Sequence, residues 1–304
     1  MLHFPVLLEE SVDFLINDMD GHYVDCTFGR GGHSKLILEK ISSKGYLSSF
    51  DKDPEAYEFG LNFQNDNFKI RHDSFKNLDK YFKDNSISGI IYDLGTCSTH
   101  LDNAERGFSF NKEGQLDMRF DNTVGEPFSE WLERAKKEEI IEILYKYGDE
   151  KHARLIANAI IEIQKSSPIR TTLQLASLIK DVYPEKKMKI NPATKSFQAF
   201  RIFINNELNE FKESLEIAKR IIKKDGLIVV ISFHSLEDGI VKDFFKPTIK
   251  SFPKDIPLNS QEIKEFKCIA KKVKASSKEV TENPRSRSAI MRVFQKIWLA
   301  QKKL

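Results

Sequence analysis

The sequence predicts an α/β fold with a Rossmann-like, doubly wound sheet that is interrupted by an inserted all-helical domain. In the first third of the chain, short apolar runs alternate with helical patterns, which is typical of strand–helix–strand order in a parallel sheet. A long middle stretch then shows helical periodicity and no convincing strand. We therefore expect a discontinuous sheet domain at residues 1–105 and 206–304 and a helical domain at 106–205.

Five apolar runs are the predicted strands of this sheet. They cover residues 22–28, 45–51, 68–73, 87–95 and 226–234. An amphipathic stretch at 208–224 precedes the fifth run, and it ends in two lysines before Gly226, as a helix C-terminus does. A Lys- and Ser-rich stretch at 265–288 follows, and the last strand-like run covers 289–299.

The middle stretch is read as several helices. Helical periodicity is clearest at residues 138–147 and 153–164. Pro168, Pro184 and Pro192 divide the stretch into segments, because proline interrupts a helix.

Composition excludes several classes of protein. The 304 residues are 40% hydrophobic and 31% charged, as in an ordinary globular protein. No apolar run reaches the roughly 18 residues that span a bilayer, and the first residues are acidic where a signal peptide is basic, so we expect a cytoplasmic protein. Cys26, Cys97 and Cys268 are far apart and lack CxxC spacing, which argues against a disulfide framework and a metal site.

A glycine turn follows the first predicted strand. Residues 25–34 read DCTFGRGGHS and lead into a helical run, so backbone N–H groups at Gly29, Gly31 and Gly32 can approach a ligand at a helix N-terminus. The pattern is not the dinucleotide fingerprint, because Ser34 stands at its third glycine. A turn that only permits tight packing remains the alternative.

Polar residues also end the next predicted strands. Asp51 lies about 20 residues beyond Gly31, where a carboxylate accepts the ribose hydroxyls of a nucleoside cofactor, whether NAD or S-adenosylmethionine. Asp53 is explained equally well as a helix cap before Pro54. Phe75 follows the third strand and either flanks an adenine ring or belongs to the core. Asp93 ends the fourth strand, beside the glycine turn, where we expect the reacting centre.

With these residues in place, the chain resembles the RsmH (MraW) family, enzymes that N4-methylate a P-site cytidine, position 1402 of 16S ribosomal RNA. The resemblance covers nearly the whole chain. It rests on the segments HFPVLLEESVDFL, DCTFGRGGHS, FDKDPEA, DLGTCSTHLDNAERGFSF, QLDMRFD, KYGDEKHARLIANAI, TTLQLASLI, NPATKSFQAFRIFINNEL, ISFHSLEDGIVK and NPRSRSAIMRV.

The resemblance implies a class I S-adenosylmethionine-dependent methyltransferase sheet and a helical insertion that recognises ribosomal RNA. It implies S-adenosylmethionine as cofactor and 16S ribosomal RNA in the small subunit as partner, with no membrane. We keep a homodimer among the expected assemblies. The implied cofactor contacts come from Gly31, Gly32, His33, Asp51, Phe75, Asp93 and His100.

The chain departs from the family pattern at several positions. Cys97-Ser-Thr-His100 stands where members read Ser-Ser-Pro-Gln, and histidine at 100 still donates one hydrogen bond. Asp149 replaces a glutamate and Gly239 an arginine. Lys195 replaces an arginine, which keeps the charge but loses the fork that suits phosphate.

The expected chemistry starts from the acceptor amine. The lone pair of a cytosine exocyclic amine is delocalised into the ring, so the enzyme must accept its N–H bonds and turn the nitrogen toward the methyl group. Asp93 is the predicted residue for this orientation, and His234, after the fifth strand, is a second catalytic candidate or a structural histidine. Alignment of donor and acceptor then supplies most of the catalysis.

Six residues are predicted RNA contacts. Arginine binds phosphate, although an arginine on any protein is as often solvated or salt-bridged. Phe108, with Phe110, either stacks an everted base or anchors the insertion. The six are Arg106, Phe108, Arg119, Arg201, Arg285 and Arg287.

Three other functions stay open. An RNA cytosine-C5 methyltransferase would use Cys97 as nucleophile, although the spacing to Asp93 differs from Asp-x-Pro-Cys. A nicotinamide-dependent oxidoreductase would use the glycine turn and Asp51. An RNA-binding scaffold would need no chemistry from Asp93.

Overall fold

The computed structural model describes residues 5–183, 191–250, 261–263 and 265–297. The chain forms two compact units, one from residues 1–95 and 208–304 and the other from residues 96–207. The second unit begins before the predicted boundary at residue 106. Pro184 and residues 298–299 of the last predicted strand lie outside the described residues.

The strands of the described residues all lie in the first unit. They are β1 (His22–Asp25), β2 (Tyr46–Asp51), β3 (Phe68–His72), β4 (Ile87–Asp93), β5 (Ile222–Ser232), β6 (Thr248–Lys250), β7 (Gln261–Ile263), β8 (Phe266–Val273) and β9 (Ile290–Lys296). Seven of them form one sheet in the order β3-β2-β1-β4-β5-β9-β8, and β6 pairs with β7.

One strand of the large sheet is reversed. The first five strands are parallel, while β9 runs antiparallel to both of its neighbours, β5 and β8. The five predicted strands and the last one are confirmed at nearly the predicted positions. The sequence patterns predicted parallel pairing without this reversal, and β8 was missed.

The helices of the described residues divide between the two units. They are α1 (Leu8–Leu15), α2 (Gly32–Lys40), α3 (Pro54–Gly60), α4 (Ser98–Asp102), α5 (Phe128–Arg134), α6 (Lys137–Gly148), α7 (Ala153–Gln164), α8 (Thr172–Val182), α9 (Ala193–Ile204), α10 (Glu207–Ile221), α11 (Ser235–Phe244) and α12 (Ser277–Glu282), with 3₁₀ helices at Phe75–Lys80, Ala104–Arg106 and Pro284–Ser288. Among the residues so described, no helix has the length and apolar character to cross a membrane.

The large sheet has an apolar core on each face. On one face Tyr92 of β4 packs with Phe211 and Leu215 of α10. On the other face Ile91, the preceding residue, packs in the cluster that contains Val12 of α1. Successive side chains of a strand point to opposite faces, so a strand covered on both sides reads as a continuous apolar run. That is why β4 was visible in the sequence.

The junction between α10 and β5 differs from the prediction. The helix ends at Ile221, and the strand begins at Ile222. Ile222 pairs with Ile87, but the next pair is Leu227 with Gly89, so the intervening residues form a bulge. The lysines at 223 and 224 therefore belong to this bulge and not to the last turn of the helix.

The second unit has its own apolar core. Helices α5 to α9 supply most of it, and the rings of Phe128 and Phe200 lie 4.7 Å apart at its centre. Asn205 fixes the chain after α9, because its side chain accepts the N–H of Phe120 and donates to the carbonyl of Met118. This unit is helical, as predicted.

Candidate active site

The glycine turn connects β1 to α2, and its glycines serve different purposes. Gly31 has φ +72°, and a Cβ there would lie 2.4 Å from Cζ of Phe63. A Cβ at Gly32 would lie 2.1 Å from Cγ of Pro5. Tight packing therefore requires glycine at both positions. Gly29, also at positive φ, donates its N–H to Oδ2 of Asp51 at 2.7 Å, which joins the turn to the end of β2.

Asp51 ends β2 next to this turn. Its Oδ1 accepts the N–H of Asp53 at 2.9 Å, so the carboxylate is held between two backbone donors. Asp53 itself accepts the N–H of Glu55 and caps α3, before Pro54, as the sequence predicts. The two neighbouring aspartates thus have different contacts, and Asp51 is the one at the glycine turn.

Asp25, at the end of β1, was not predicted as a site residue. It is buried, and its two oxygens accept the N–H of Thr27 at 3.0 Å and the hydroxyl of Ser34 at 2.6 Å. Burial raises the pKa of Asp25 to about 6. The bond also explains why serine stands where a dinucleotide fingerprint has glycine. Nothing in the sequence distinguishes this buried carboxylate from an exposed one.

Asp93 ends β4 on the other side of β1. Its N–H bonds to Oγ1 of Thr27 at 2.8 Å, and its Oδ2 lies 3.9 Å from Nδ1 of His33. Its Oδ1 is buried and has no hydrogen-bond partner within the described part of the chain, although 21% of the side chain is exposed. This oxygen can accept a hydrogen bond from a bound molecule.

The charge around Asp93 favours its protonated form in the absence of a cation. Burial raises the pKa of Asp93 well above its ordinary value, and the carboxylates of Asp25, Glu237 and Glu279 raise it further. Glu279 is fixed by accepting the N–H of Leu7 at 2.9 Å. The site is therefore built to receive positive charge.

Phe75 begins the 3₁₀ helix that follows β3. Its ring packs edge-to-face on Tyr92, with centroids 5.8 Å apart, against the core under α10. The residues on both sides of it, Ser74 and Lys76, bond to Glu210 of α10. Phe75 is therefore packed against the core, and its two neighbours are bonded to α10.

His234 is the N-cap of α11. Its Nδ1 accepts the N–H of Glu237 at 3.4 Å, and its Nε2 lies 3.0 Å from Oε1 of the same residue. Oε2 of Glu237 in turn accepts the N–H groups of Phe233 and His234. The contact of Nδ1 fits a structural role, whereas the buried Nε2 makes no hydrogen bond within the described residues. The predicted part of His234 in catalysis stays a prediction.

In the second unit, the arginines predicted to contact RNA are engaged within the protein. Arg106 is buried and donates to the carbonyls of Arg119 and Phe120. Arg119 makes a two-bond pair with Asp117, at 2.7 Å for both bonds. Arg201 is likewise paired with Glu207. These contacts favour structural roles, and RNA binding by these residues stays a prediction.

Phe108 and His100 belong to an aromatic cluster of the second unit. Phe108 is buried and stacks on Phe120, with centroids 5.3 Å apart, and the His100 ring lies 5.0 Å from the Phe108 ring. Nδ1 of His100 accepts the N–H of Cys97 at 3.2 Å. Phe108 is therefore packed within the second unit, and its predicted contact with a base stays a prediction. The cofactor contact of His100 remains a prediction.

Arg285 and Arg287 lie on the 3₁₀ helix Pro284–Ser288 of the first unit, and both are exposed. They differ in this respect from Arg106, Arg119 and Arg201, which are buried or half-buried. Across the residues that the structure covers, no group of His, Cys, Asp and Glu side chains has the arrangement of a metal site.

These placements define the class of protein. The glycine turn, Asp51 and Asp93 lie at the carboxyl ends of three adjacent parallel strands, in a sheet with one reversed strand. This is the fold and the site arrangement of a class I methyltransferase. The chain belongs to the MraW methylase family, whose model matches residues 1–297.

Relatives of known name agree with this family. The chain is 43% identical over 304 residues to ribosomal RNA small subunit methyltransferase H of Marinomonas sp. (strain MWYL1), with 97% of each chain covered. It is 47% identical over 304 residues to the protein of that name from Caldicellulosiruptor bescii, with 97% of this chain and 99% of the relative covered. A solved rRNA methylase of Streptococcus thermophilus has 11% identity and a TM-score of 0.44, with 98% and 99% of the two chains covered. The chain is a methyltransferase by its family.

Proposed function

We propose that this chain transfers the methyl group of S-adenosylmethionine to the N4 amine of a cytidine in small-subunit ribosomal RNA, the P-site cytidine at position 1402. The observation that carries the proposal is the buried Oδ1 of Asp93, an acceptor without a partner in the described residues, at the strand end beside the glycine turn. The relatives' name, ribosomal RNA small subunit methyltransferase H, supports the choice of substrate.

The residues at the strand ends fit this cofactor. S-adenosylmethionine carries a sulfonium and an ammonium group, and the negative charges of Asp25, Glu237 and Glu279 act on Asp93 and raise its pKa, so a cation is favoured there. Asp51 would accept the ribose hydroxyls, and Phe75 would lie against the adenine. When bound, the cofactor supplies a methyl group on a sulfonium that is already a good leaving group.

The chain's own part in the reaction is to orient the amine and to accept its proton. Asp93 accepts an N–H of the cytosine amine through Oδ1, which turns the nitrogen lone pair out of conjugation with the ring. N4 would then take the methyl group, with the electron pair of the broken methyl–sulfur bond left on sulfur, and would give up this N–H proton to the Asp93 carboxylate. On the other side of the carboxylate, Nδ1 of the buried His33 lies 3.9 Å from Oδ2 of Asp93. Because no covalent intermediate is needed, the rate depends on how accurately these groups align donor and acceptor.

Methylation of isolated small subunits tests the proposal. Subunits from cells that lack this protein are incubated with the purified chain and S-adenosylmethionine, and the modified position is mapped by mass. The modified nucleoside is then separated chromatographically against N4-methylcytidine and C5-methylcytidine standards, which have the same mass. N4-methylated cytidine at one P-site position is the expected product. Methylation at C5, or binding of NADH instead of S-adenosylhomocysteine in calorimetry, would reject the proposal in favour of the other two chemistries.

Replacement of Cys97 by serine is expected to retain methylation. A C5 methyltransferase needs a thiolate that attacks the base, whereas Sγ of Cys97 here accepts the hydroxyl of Thr99 at 3.4 Å in the N-cap of α4. The measurement is the initial rate on small subunits, with Cys268→Ser as the matched control. Loss of activity in Cys97→Ser alone, with a trapped adduct on 5-fluorocytidine RNA, would establish the C5 mechanism.

The basic side chains after residue 265 are proposed to bind RNA phosphates. Lys267 and Lys271 on the edge strand β8 are exposed, as are Lys278, Arg285 and Arg287. A whole-chain net charge of +3 is small, so this concentration of cations is local. Local clusters of this kind attract the phosphate backbone.

Neutralising this surface is expected to weaken RNA binding in a salt-dependent way. The variant Lys267→Gln, Lys271→Gln, Arg287→Gln should lower the slope of log affinity against log salt by about 0.7–0.9 for each phosphate that the protein no longer neutralises. The control variant has three other exposed lysines changed to glutamine, Lys35, Lys69 and Lys83. Its net charge equals that of the test variant. Lysines on an edge strand also prevent strand pairing between molecules. Aggregation with an unchanged slope would assign them that role alone.

A further inference from the structure

We infer that Glu210 of α10 is a positioning residue for the cofactor, because it bonds to residues directly next to both Asp51 and Phe75. This inference rests on the proposed S-adenosylmethionine site. Nothing in the sequence singled out Glu210, which lies in an amphipathic helix among other charged residues.

The contacts of Glu210 reach both loops. Oε2 accepts the Lys52 ammonium group at 2.9 Å and the Ser74 hydroxyl at 2.9 Å. Oε1 accepts the Lys76 ammonium group at 3.0 Å. Lys52 directly follows Asp51, and Ser74 and Lys76 flank Phe75, so one carboxylate bonds to neighbours of both proposed cofactor contacts.

These contacts lie where the sheet no longer fixes the backbone. The β2–β3 ladder ends with Asp51 opposite His72, and the N–H of Asp73 makes a last bond to the carbonyl of Asp51 at 3.1 Å. Beyond this point the segments that follow β2 and β3 are no longer paired as strands. Glu210 therefore connects the loops at the first positions that strand pairing does not hold.

Glu210 is also built to stay ionised. Its side chain is only 7% exposed. Burial acts to raise its pKa, but the charge of Lys52 and the hydrogen bonds from Lys52, Lys76 and Ser74 outweigh burial, so the pKa of Glu210 lies below its ordinary value. Three charged or polar donors hold this buried carboxylate in place, because a shift of the carboxylate would break all three hydrogen bonds.

The test is the Glu210→Gln variant of the full chain. Glutamine keeps the shape but removes the negative charge that both lysines face. We expect the dissociation constant of S-adenosylhomocysteine and the KM for S-adenosylmethionine to rise about tenfold or more, while kcat at saturating cofactor changes much less. Glu213→Gln, an exposed glutamate on the same helix, is the matched control and should match the unchanged chain.

The outcomes separate this inference from the proposed function. If the unchanged chain does not bind S-adenosylhomocysteine, the proposed cofactor is wrong. If it does, and Glu210→Gln binds equally well with only a lower unfolding temperature, Glu210 is structural and the inference is overturned. Should Glu210→Gln fail to fold, Lys76→Met removes one contact of the same carboxylate and leaves the Ser74 cap of the 3₁₀ helix in place. A higher KM with kcat retained in Lys76→Met supports the inference, and an unchanged KM overturns it.

Discussion

Replacement of Asp93 by asparagine is expected to lower the methyl-transfer rate about 10²-fold or more, because misplacement of an acceptor by about 1 Å costs that much. The amide can present either an oxygen or an NH₂ group at the position of Oδ1. It also removes the negative charge that a sulfonium faces. The measurement is the single-turnover rate on small subunits at saturating S-adenosylmethionine.

The same variant should change how cofactor binding depends on pH. In the free protein the pKa of Asp93 is raised, and a bound cation favours the ionised form, so binding releases a proton and tightens as the pH rises toward that pKa. Asp93→Asn should lose this part of the dependence, while Asp66→Asn, at an exposed position, should keep it. Equal rates and equal pH profiles for Asp93→Asn and the unchanged chain would remove Asp93 from the mechanism.

Gly31→Ala is expected to destabilise the sheet unit by about 2–5 kcal/mol. A non-glycine residue at φ +72° costs about 1–2 kcal/mol. The added methyl group also meets Phe63 and Phe28 at less than 3 Å, and such overpacking costs about 1–3 kcal/mol. The turn would shift to relieve the contact, so binding of S-adenosylhomocysteine should weaken together with stability. Thermal unfolding and calorimetry measure the two effects.

Two other glycines separate the contributions. Gly125 has φ +71°, but a Cβ at this position would have no atom within 4 Å. Gly125→Ala should therefore lower the free energy of unfolding only by the conformational cost, about 1–2 kcal/mol. Gly239, inside α11, has open space and an ordinary φ, so Gly239→Ala should be neutral or slightly stabilising. If Gly31→Ala is no more destabilised than Gly125→Ala, the packing argument for this turn fails.

Much of the sheet and the glycine turn could be predicted, because their signals are local. A strand buried on both faces is a continuous apolar run, and the aspartates follow those runs directly. The edge strand β8 could not be predicted in this way. Its residues alternate between half-buried and exposed, and lysines occupy exposed positions, so its sequence resembles a solvated loop.

The roles of individual polar residues were harder to predict, since their partners are distant in sequence. Arg106 bonds to carbonyls near residue 120, and no composition or spacing distinguishes it from exposed Arg287. Asp25 and Glu210 are similar cases, because their structural roles depend on their being buried. Burial is a property of the packed fold and not of the residue.

The reversed strand β9 also constrains how the protein folds during synthesis. β9 lies between β5 and β8, yet it is translated after every other strand of the large sheet. Until residues 290–296 leave the ribosome, one edge of β5 has no partner from this sheet and exposes backbone groups that pair readily with other chains. The inserted unit is one continuous segment and can reach its native contacts much earlier. The unit that contains the large sheet can therefore be completed only after residues 290–296 have been synthesised. The helical insertion can fold before that point.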